Sequence, residues 1–499
     1  MAAWILRGED AHHWDLYRHL GRPPVLAPPR WALYERIWDV TDLTGPPGGM
    51  SPADPRPRDP GPSDRRPSDP RPGGTIEPAD WAETLRASLR GRSVVLVVPD
   101  ATRVGAWRRI LPTVLEALAP NFTDRTILVA TGTHAPATEA DLARHLGADS
   151  LDADGCFAGW RIVQNSADGF LGHRAVGLTQ RGTEIRIHPD YLDADVRVLL
   201  GDVSYHYFAG FGGGPKLVFP GCGEPGAAAS NHRRSVRPDS RGDGFVWNEE
   251  CAPGKSVGNP VLEEIEAAAA LAPAHWSIVP VEDPPMGESD LDPSTPVAFP
   301  LRVIQGPDLE TRAESRLHHD RTHRVEFTQR PDMLVVDAGG RPRDDSFLQS
   351  QKSLQHARRF LEPGGRILLV AKCGSGTASA MLDRFLAGPS KFAADPKDLH
   401  VQTLYALQSV TESYEVALWS DLPETSVRAL GLEPIRSEQD AFAWMDRISG
   451  ARWGWLPRVE RFLPAAGWLG GTPGPADVAE TGGEETGERE EPGEGETAE

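Results

Sequence analysis

Apolar positions along this chain fall into two series of alternating patterns, separated by a long stretch without a period. WAETLRASL spaces its apolar residues as a helix does, and SVVLVVPD (93–100) is a continuous apolar run of strand length. GAWRRILPTVLEAL predicts a helix, RTILVATG a strand, and TEADLARHLG a helix with Thr138 as its N-cap. EIRIHPD and VRVLLGDV (196–203) predict two further strands; a glycine-rich loop follows, then the helix NPVLEEIEAAAALA. Residues from about 275 to 325 read as irregular. The second series is a strand in PDMLVVDAGG (331–340), the helix SFLQSQKSLQHARRFL, the strand GRILLVAKC, the helix ASAMLDRFL and the strand YEVALWS. Strands rich in Val and Leu, alternating with helices, predict an α/β fold with two α/β domains and mainly parallel sheets covered on both faces. Ligands in such folds bind beyond the carboxyl ends of strands.

The flanks look different. Residues 1–45 form a Trp-rich N-terminal extension with weak periodicity, and residues 46–74 hold ten Pro in 29 positions, the composition of an extended linker. From Thr472 onward there are ten acidic residues and one Arg, so an acidic tail is expected over 471–499. Between these lie an N-terminal domain at 75–275 and a C-terminal α/β domain at 276–470. The tail supplies -9 of the formal net charge of -20, and the rest of the chain about -11. Neither value suits a nucleic-acid partner. No apolar run reaches the length of a membrane span, and the first twenty residues lack the build of a signal peptide. Four scattered Cys without a CxxC exclude a zinc ribbon and a disulfide scaffold and fit a reducing, cytoplasmic location. Lys and Arg total 52, but only six are Lys, so each Lys inside a motif deserves a chemical reading.

Candidate chemistry sits where the predicted strands end. In Pro99-Asp100-Ala101-Thr102-Arg103, Asp100 and Thr102 can orient a partner and Arg103 can hold an anion; the same residues also fit a turn capping the next helix. In Ala130-Thr131-Gly132-Thr133-His134, a Gly allows a tight turn that presents an imidazole suited to proton transfer near neutrality. The segment from Gly201 to Lys216 interleaves His206 and aromatics with Gly210, Gly212, Gly213 and Gly214 and ends in Lys216. Its N–H groups can line a phosphate. It is not a P-loop, because Pro215 precedes the Lys and Leu217 stands where a Ser or Thr would hold magnesium. Ser230-Asn231-His232-Arg233-Arg234 offers a metal-ligating His or a polar surface cluster. Gln349 and Lys352 share a helical face near a positive helix end and can together hold a carboxylate. Cys373-Gly374-Ser375-Gly376-Thr377 offers backbone donors at a strand end.

Taken in order, DATR, ATGTH, HYFAGFGGGPK, NHRRS and QSQK resemble the nickel-pincer lactate racemase family, over roughly residues 76–440. The resemblance implies a two-domain enzyme with its active site between the domains and its cofactor in the N-terminal one. It implies a pyridinium mononucleotide carrying nickel through sulfur and carbon, joined to Lys216 as a thioamide, with His232 as a nickel ligand. Asp100 would support the cofactor site and Gly212, Gly213 and Gly214 lie near the nucleotide. His134 and His206 would be the two acid–bases, and Arg103, Gln349 and Lys352 the substrate-positioning residues. The implied activity is racemisation or epimerisation of a 2-hydroxy carboxylic acid by reversible hydride transfer, with cofactor-biosynthesis enzymes as partners. Hydride transfer avoids the dianion that removal of the α-proton would create. Val104 replaces a usual Pro, and Leu348 replaces an aromatic hydroxyl residue, which points to a substrate bulkier or less polar than lactate. A non-catalytic carrier of the nickel nucleotide and an unrelated ATP-dependent enzyme are the other readings.

Overall fold

The computed structural model describes residues 79–103, 105–147, 155–165, 172–240, 244–282, 301–327, 329–389, 392, 398 and 400–465. The extension, the Pro-rich segment, the acidic tail and Val104 lie outside the described residues.

The predicted β/α alternation is present. Strands β1 (Ser93–Pro99), β2 (Asp124–Ala130), β3 (Arg161–Gln164) and β4 (Val196–Leu200) run parallel in the order β4-β1-β2-β3. Helices Trp107–Leu118 and Glu139–Leu146 follow β1 and β2, and Thr138 caps the second by accepting from the Asp141 amide at 3.2 Å. Alternate residues of β1 go to opposite faces. Val94, Leu96 and Val98 join one apolar cluster, while Val95 and Val97 join another, so burial on both faces explains the unbroken apolar run.

Two expectations change. The stretch 275–325 is not irregular: it holds β7 (Trp276–Glu282), β8 (Leu301–Pro307) and the fifteen-residue helix Asp308–Thr322. β7 adds parallel to β4, and β8 closes the six-stranded sheet antiparallel to β7. This sheet therefore uses residues on both sides of the 275/276 boundary expected from sequence. The helix escaped notice because DLETRAESRLHHDRT is polar almost throughout and carries no apolar stripe to read. The strand expected in EIRIHPD is present but ends at Ile187. Glu184–Ile187 pairs antiparallel with Arg174–Leu178 outside the main sheet, and His188 caps the short helix Pro189–Asp193, since Pro is favoured at a first helical position.

The glycine-rich segment forms a small hairpin, β5 (Ser204–His206) with β6 (Gly210–Gly212). A second, wholly parallel sheet has the order β12-β11-β10-β9-β13, where β9 is Met333–Asp337, β10 Arg366–Val370, β11 Glu415–Trp419, β12 Glu433–Ile435 and β13 Trp453–Leu456. The helix expected over SFLQSQKSLQHARRFL is broken into Phe347–Ser350, Lys352–Ala357 and a 3₁₀ turn, Arg358–Phe360. Among the described residues no helix is long and apolar enough to cross a membrane. All four cysteines are free, and Cys222, Cys251 and Cys373 are buried.

Candidate active site

A cavity of about 360 Å³ opens beyond the carboxyl ends of β1, β2, β4 and β9. Asp100, Arg103, His134, His206, Gly212, Gly213, Lys216, His232, Gln349 and Lys352 all line it. Gly214 does not; it faces Arg312 in a smaller neighbouring cleft. Each segment arrives through a turn that its residues dictate. After β2, the His134 amide bonds the Thr131 carbonyl at 3.0 Å while Gly132 takes φ +58°, and the imidazole is carried into the cavity. After β1, the Asp100 carboxylate accepts from the Thr102 amide at 2.8 Å and from its hydroxyl at 2.6 Å, so the turn expected there does form. The other Asp100 oxygen lies 2.6 Å from His134 Nδ1. One carboxylate thus fixes both the turn and the ring.

Electrostatics in the cavity are dominated by cations. Burial pushes the Asp100 carboxyl up, but the His134 bond and charge, Arg103 and Thr102 outweigh it and hold it below the usual carboxylate range. With Asp100 ionised, His134 donates from Nδ1 and keeps Nε2 as an acceptor. His206 is set the other way. Its Nδ1 accepts from the Ala209 amide at 3.1 Å, so its neutral ring carries the proton on Nε2. Burial, then Lys216, Arg103 and Lys352, push its pKa well below the ordinary value. Burial and Arg103 lower the Lys216 amine to about 7, and burial and Lys216 lower His232 to about 3. Lys352 is depressed in the same way, by burial and then by Arg103 and Lys216. Its Nζ donates to Gln349 Oε1 at 2.5 Å, which realises the shared helical face expected of this pair. Cys373-Gly374-Ser375-Gly376-Thr377 spends its backbone on the protein itself: the Cys373 and Ser375 amides donate to the Asp344 and Asp345 carbonyls, while the Gly376 and Thr377 carbonyls accept from the Phe347 and Leu348 amides and seat the helix that carries Gln349.

Two glycines of the hairpin are needed by backbone packing. A Cβ on Gly213 (φ +76°) would stand 2.2 Å from the Asp202 carbonyl oxygen, and one on Gly210 (φ +69°) 2.2 Å from that of Lys255. Gly213→Ala is expected to cost about 3 kcal/mol or more of stability. Gly226→Ala, in a helix with open space around it, is expected to be neutral or stabilising. Denaturant melts of both variants check this.

Asp202 supplies a pH signature. It sits at the cavity, and its carboxylate accepts from the Trp107 amide at 3.2 Å. Burial raises its pKa from 3.8 to about 7, against the Trp107 and Ala106 amides and Arg461. An acid whose folded pKa is raised binds more protons folded than unfolded between those values, so its contribution to stability falls as pH rises from about 4 to 7. Asp202→Asn is expected to remove that part of the decline, read as a smaller stability difference between pH 4 and pH 7 than in the parent.

Sequence reasoning missed Tyr207, Arg343, His400 and Gln402, all at the cavity wall. Tyr207 lay inside the glycine-rich motif and its ring sits 5.6 Å from Lys352 Nζ. Arg343, which pairs with Glu460, and His400 belong to segments without a motif, so no local signal marks them.

The residues fit a metal-bearing acyl group. Among the described residues, no three His, Cys, Asp or Glu side chains gather as a metal site. His232 offers one imidazole, with its Nδ1 buried and unpartnered. Lys216 has a half-buried amine 5.6 Å from the Phe208 ring, suited to acylation as the neutral form.

Residues 76–243 match the family model described as the lactate racemase N-terminal domain. The chain is 22% identical over 320 residues to the lactate racemase of Thermoanaerobacterium thermosaccharolyticum, covering 62% of this chain and 65% of that protein. It is 24% identical over 309 residues to the lactate racemase of Lactiplantibacillus plantarum, covering 59% and 64%. The matches thus span a little under two thirds of each relative's length. In structure the chain is similar to the lactate racemase apoprotein of Thermoanaerobacterium thermosaccharolyticum, with a TM-score of 0.63 at 19% identity over 77% of this chain and 88% of that one. A Thermotoga maritima protein gives 0.55 at 17% identity, over 77% and 96%. These likenesses show the α/β fold.

Proposed function

We propose that this chain, whose residues 76–243 match the lactate racemase N-terminal domain, inverts the C2 centre of a 2-hydroxy carboxylic acid with a nickel-pincer nucleotide attached to Lys216. The observation that carries this reading is the convergence of one unpaired amine, one orphaned imidazole, two imidazoles of opposite hydrogen-bonding state and a split cationic clamp on a single cavity. Lys216 would hold the cofactor as a thioamide and His232 would ligate its nickel; when bound, that group supplies the sink for the electron pair of the C2–H bond. Arg103 from the β1 turn and Gln349 with Lys352 from the second half grip the substrate carboxylate and fix its orientation. His134 takes the hydroxyl proton at Nε2, with Nδ1–H anchored on Asp100. His206 presents Nε2–H to the oxygen in the opposite orientation. For His206 to act as base there, its resting proton must move to Nδ1 in place of the Ala209 contact. Lys352, held by Gln349 Oε1, directs its amine N–H groups at the carboxylate as C2 becomes planar, and the carboxylate charge in turn favours its protonated form.

The test is a panel of single-enantiomer 2-hydroxy acids labelled with deuterium at C2, given to protein coexpressed with cofactor-making enzymes. Inversion with the label retained is expected. Inversion with label lost to water would defeat the hydride route. Bound nickel nucleotide with no inversion of any acid would make the chain a carrier instead.

A further inference from the structure

Lining the same cavity is an imidazole that the proposed chemistry does not use. His400 precedes the helix Val401–Thr411 and adopts φ +72°, a conformation that side chains other than Gly rarely take. Such conformations persist where surrounding structure over-determines them, and they gather at functional sites. Here the ring is held: Nδ1 lies 3.2 Å from Ser379 Oγ, leaving Nε2 as the ring nitrogen for the cavity that His400 lines. The charges of Lys352 and His134 act on this ring, and all three side chains line the same cavity.

Resting on the proposed 2-hydroxy acid reading, the geometry points to His400 as a specificity residue that hydrogen-bonds a hydroxyl on C3 of the substrate, making 2,3-dihydroxy carboxylic acids the preferred class. The carboxylate is taken by Arg103, Gln349 and Lys352, and the C2 hydroxyl by His134 or His206. With those groups assigned, the substituent on C3 is the part of the substrate left for His400. Burial, then Lys352 and His134, lower His400 to about 4, so the ring is neutral at working pH and suits a hydroxyl better than a second carboxylate. A methyl group there would leave a polar nitrogen unsatisfied. Leu348, read from sequence alone, favoured a bulkier or less polar side chain; His400 keeps the room and reverses the polarity.

His400→Gly is the clean variant, since Gly accepts φ +72° and its melting temperature should not fall. Cofactor-loaded parent and variant are compared on 2,3-dihydroxypropanoate, lactate and 2-hydroxybutyrate. The parent is expected to show kcat/KM about tenfold or more higher for the dihydroxy acid, and His400→Gly to lower that value about tenfold more than lactate's. Ser379→Ala, which frees the ring, should erode the preference partially. Equal kcat/KM for lactate and the dihydroxy acid in the parent, or an equal fall on all three acids in the variant, would overturn the assignment while leaving the racemase reading intact. Inversion of none of the acids defeats that reading and this one together.

Discussion

Lys216→Ala is expected to abolish covalent loading and, with it, all turnover. The parent amine is lowered to about 7, so near neutrality a large share is the unprotonated nucleophile that thioamide formation needs. It lines the same cavity as His232, whose Nδ1 is buried and unpartnered. Removing a cation that is crowded by Arg103 and Lys352 relieves repulsion, so the variant should melt no lower than the parent. Intact-protein mass spectrometry of parent and variant, each made with cofactor-making enzymes, decides the matter. An adduct of the same mass on the alanine variant rules Lys216 out as the anchor.

His134→Ala and His206→Ala are each expected to lower turnover 100-fold or more, the scale of a lost general acid–base. They should differ in one respect. His134 is proposed to work through its pair with Asp100, so Asp100→Asn, whose Oδ1 stays committed to Thr102, should reproduce much of the His134→Ala loss by turning an amide N–H toward Nδ1 and reversing the ring's tautomer. His206 leans on the Ala209 amide, which no side-chain change removes. Chiral chromatography of the product over time gives the rates; near-parental turnover in either alanine variant takes that histidine out of the proton chemistry.

Much of this arrangement could be read without coordinates, and the reason is local. SVVLVVPD and RTILVATG are apolar because both faces of β1 and β2 are covered, and the strand ends show themselves where that run stops. Asp100, Arg103 and His134 sit at those stops. Gln349 and Lys352 were legible because a spacing of three survives the break between their two short helices. What stayed hidden depends on long-range packing. The helix Asp308–Thr322 is polar yet lends His318 and His319 to the cavity wall. His400 gains meaning only from Ser379 and Lys352, which are distant in sequence. The glycines of the hairpin were read as room for a phosphate, yet at Gly210 and Gly213 the room is filled by the protein's own carbonyls.

The residues proposed to grip the substrate are divided between two sheets: Arg103 follows a strand of the six-stranded one, while Gln349 and Lys352 follow a strand of the five-stranded one. A small acid bound by all three is therefore a tie across the molecule as well as a reactant. On the proposed reading, holding it would couple the unfolding of one sheet to that of the other, so the architecture would be most cohesive while it works.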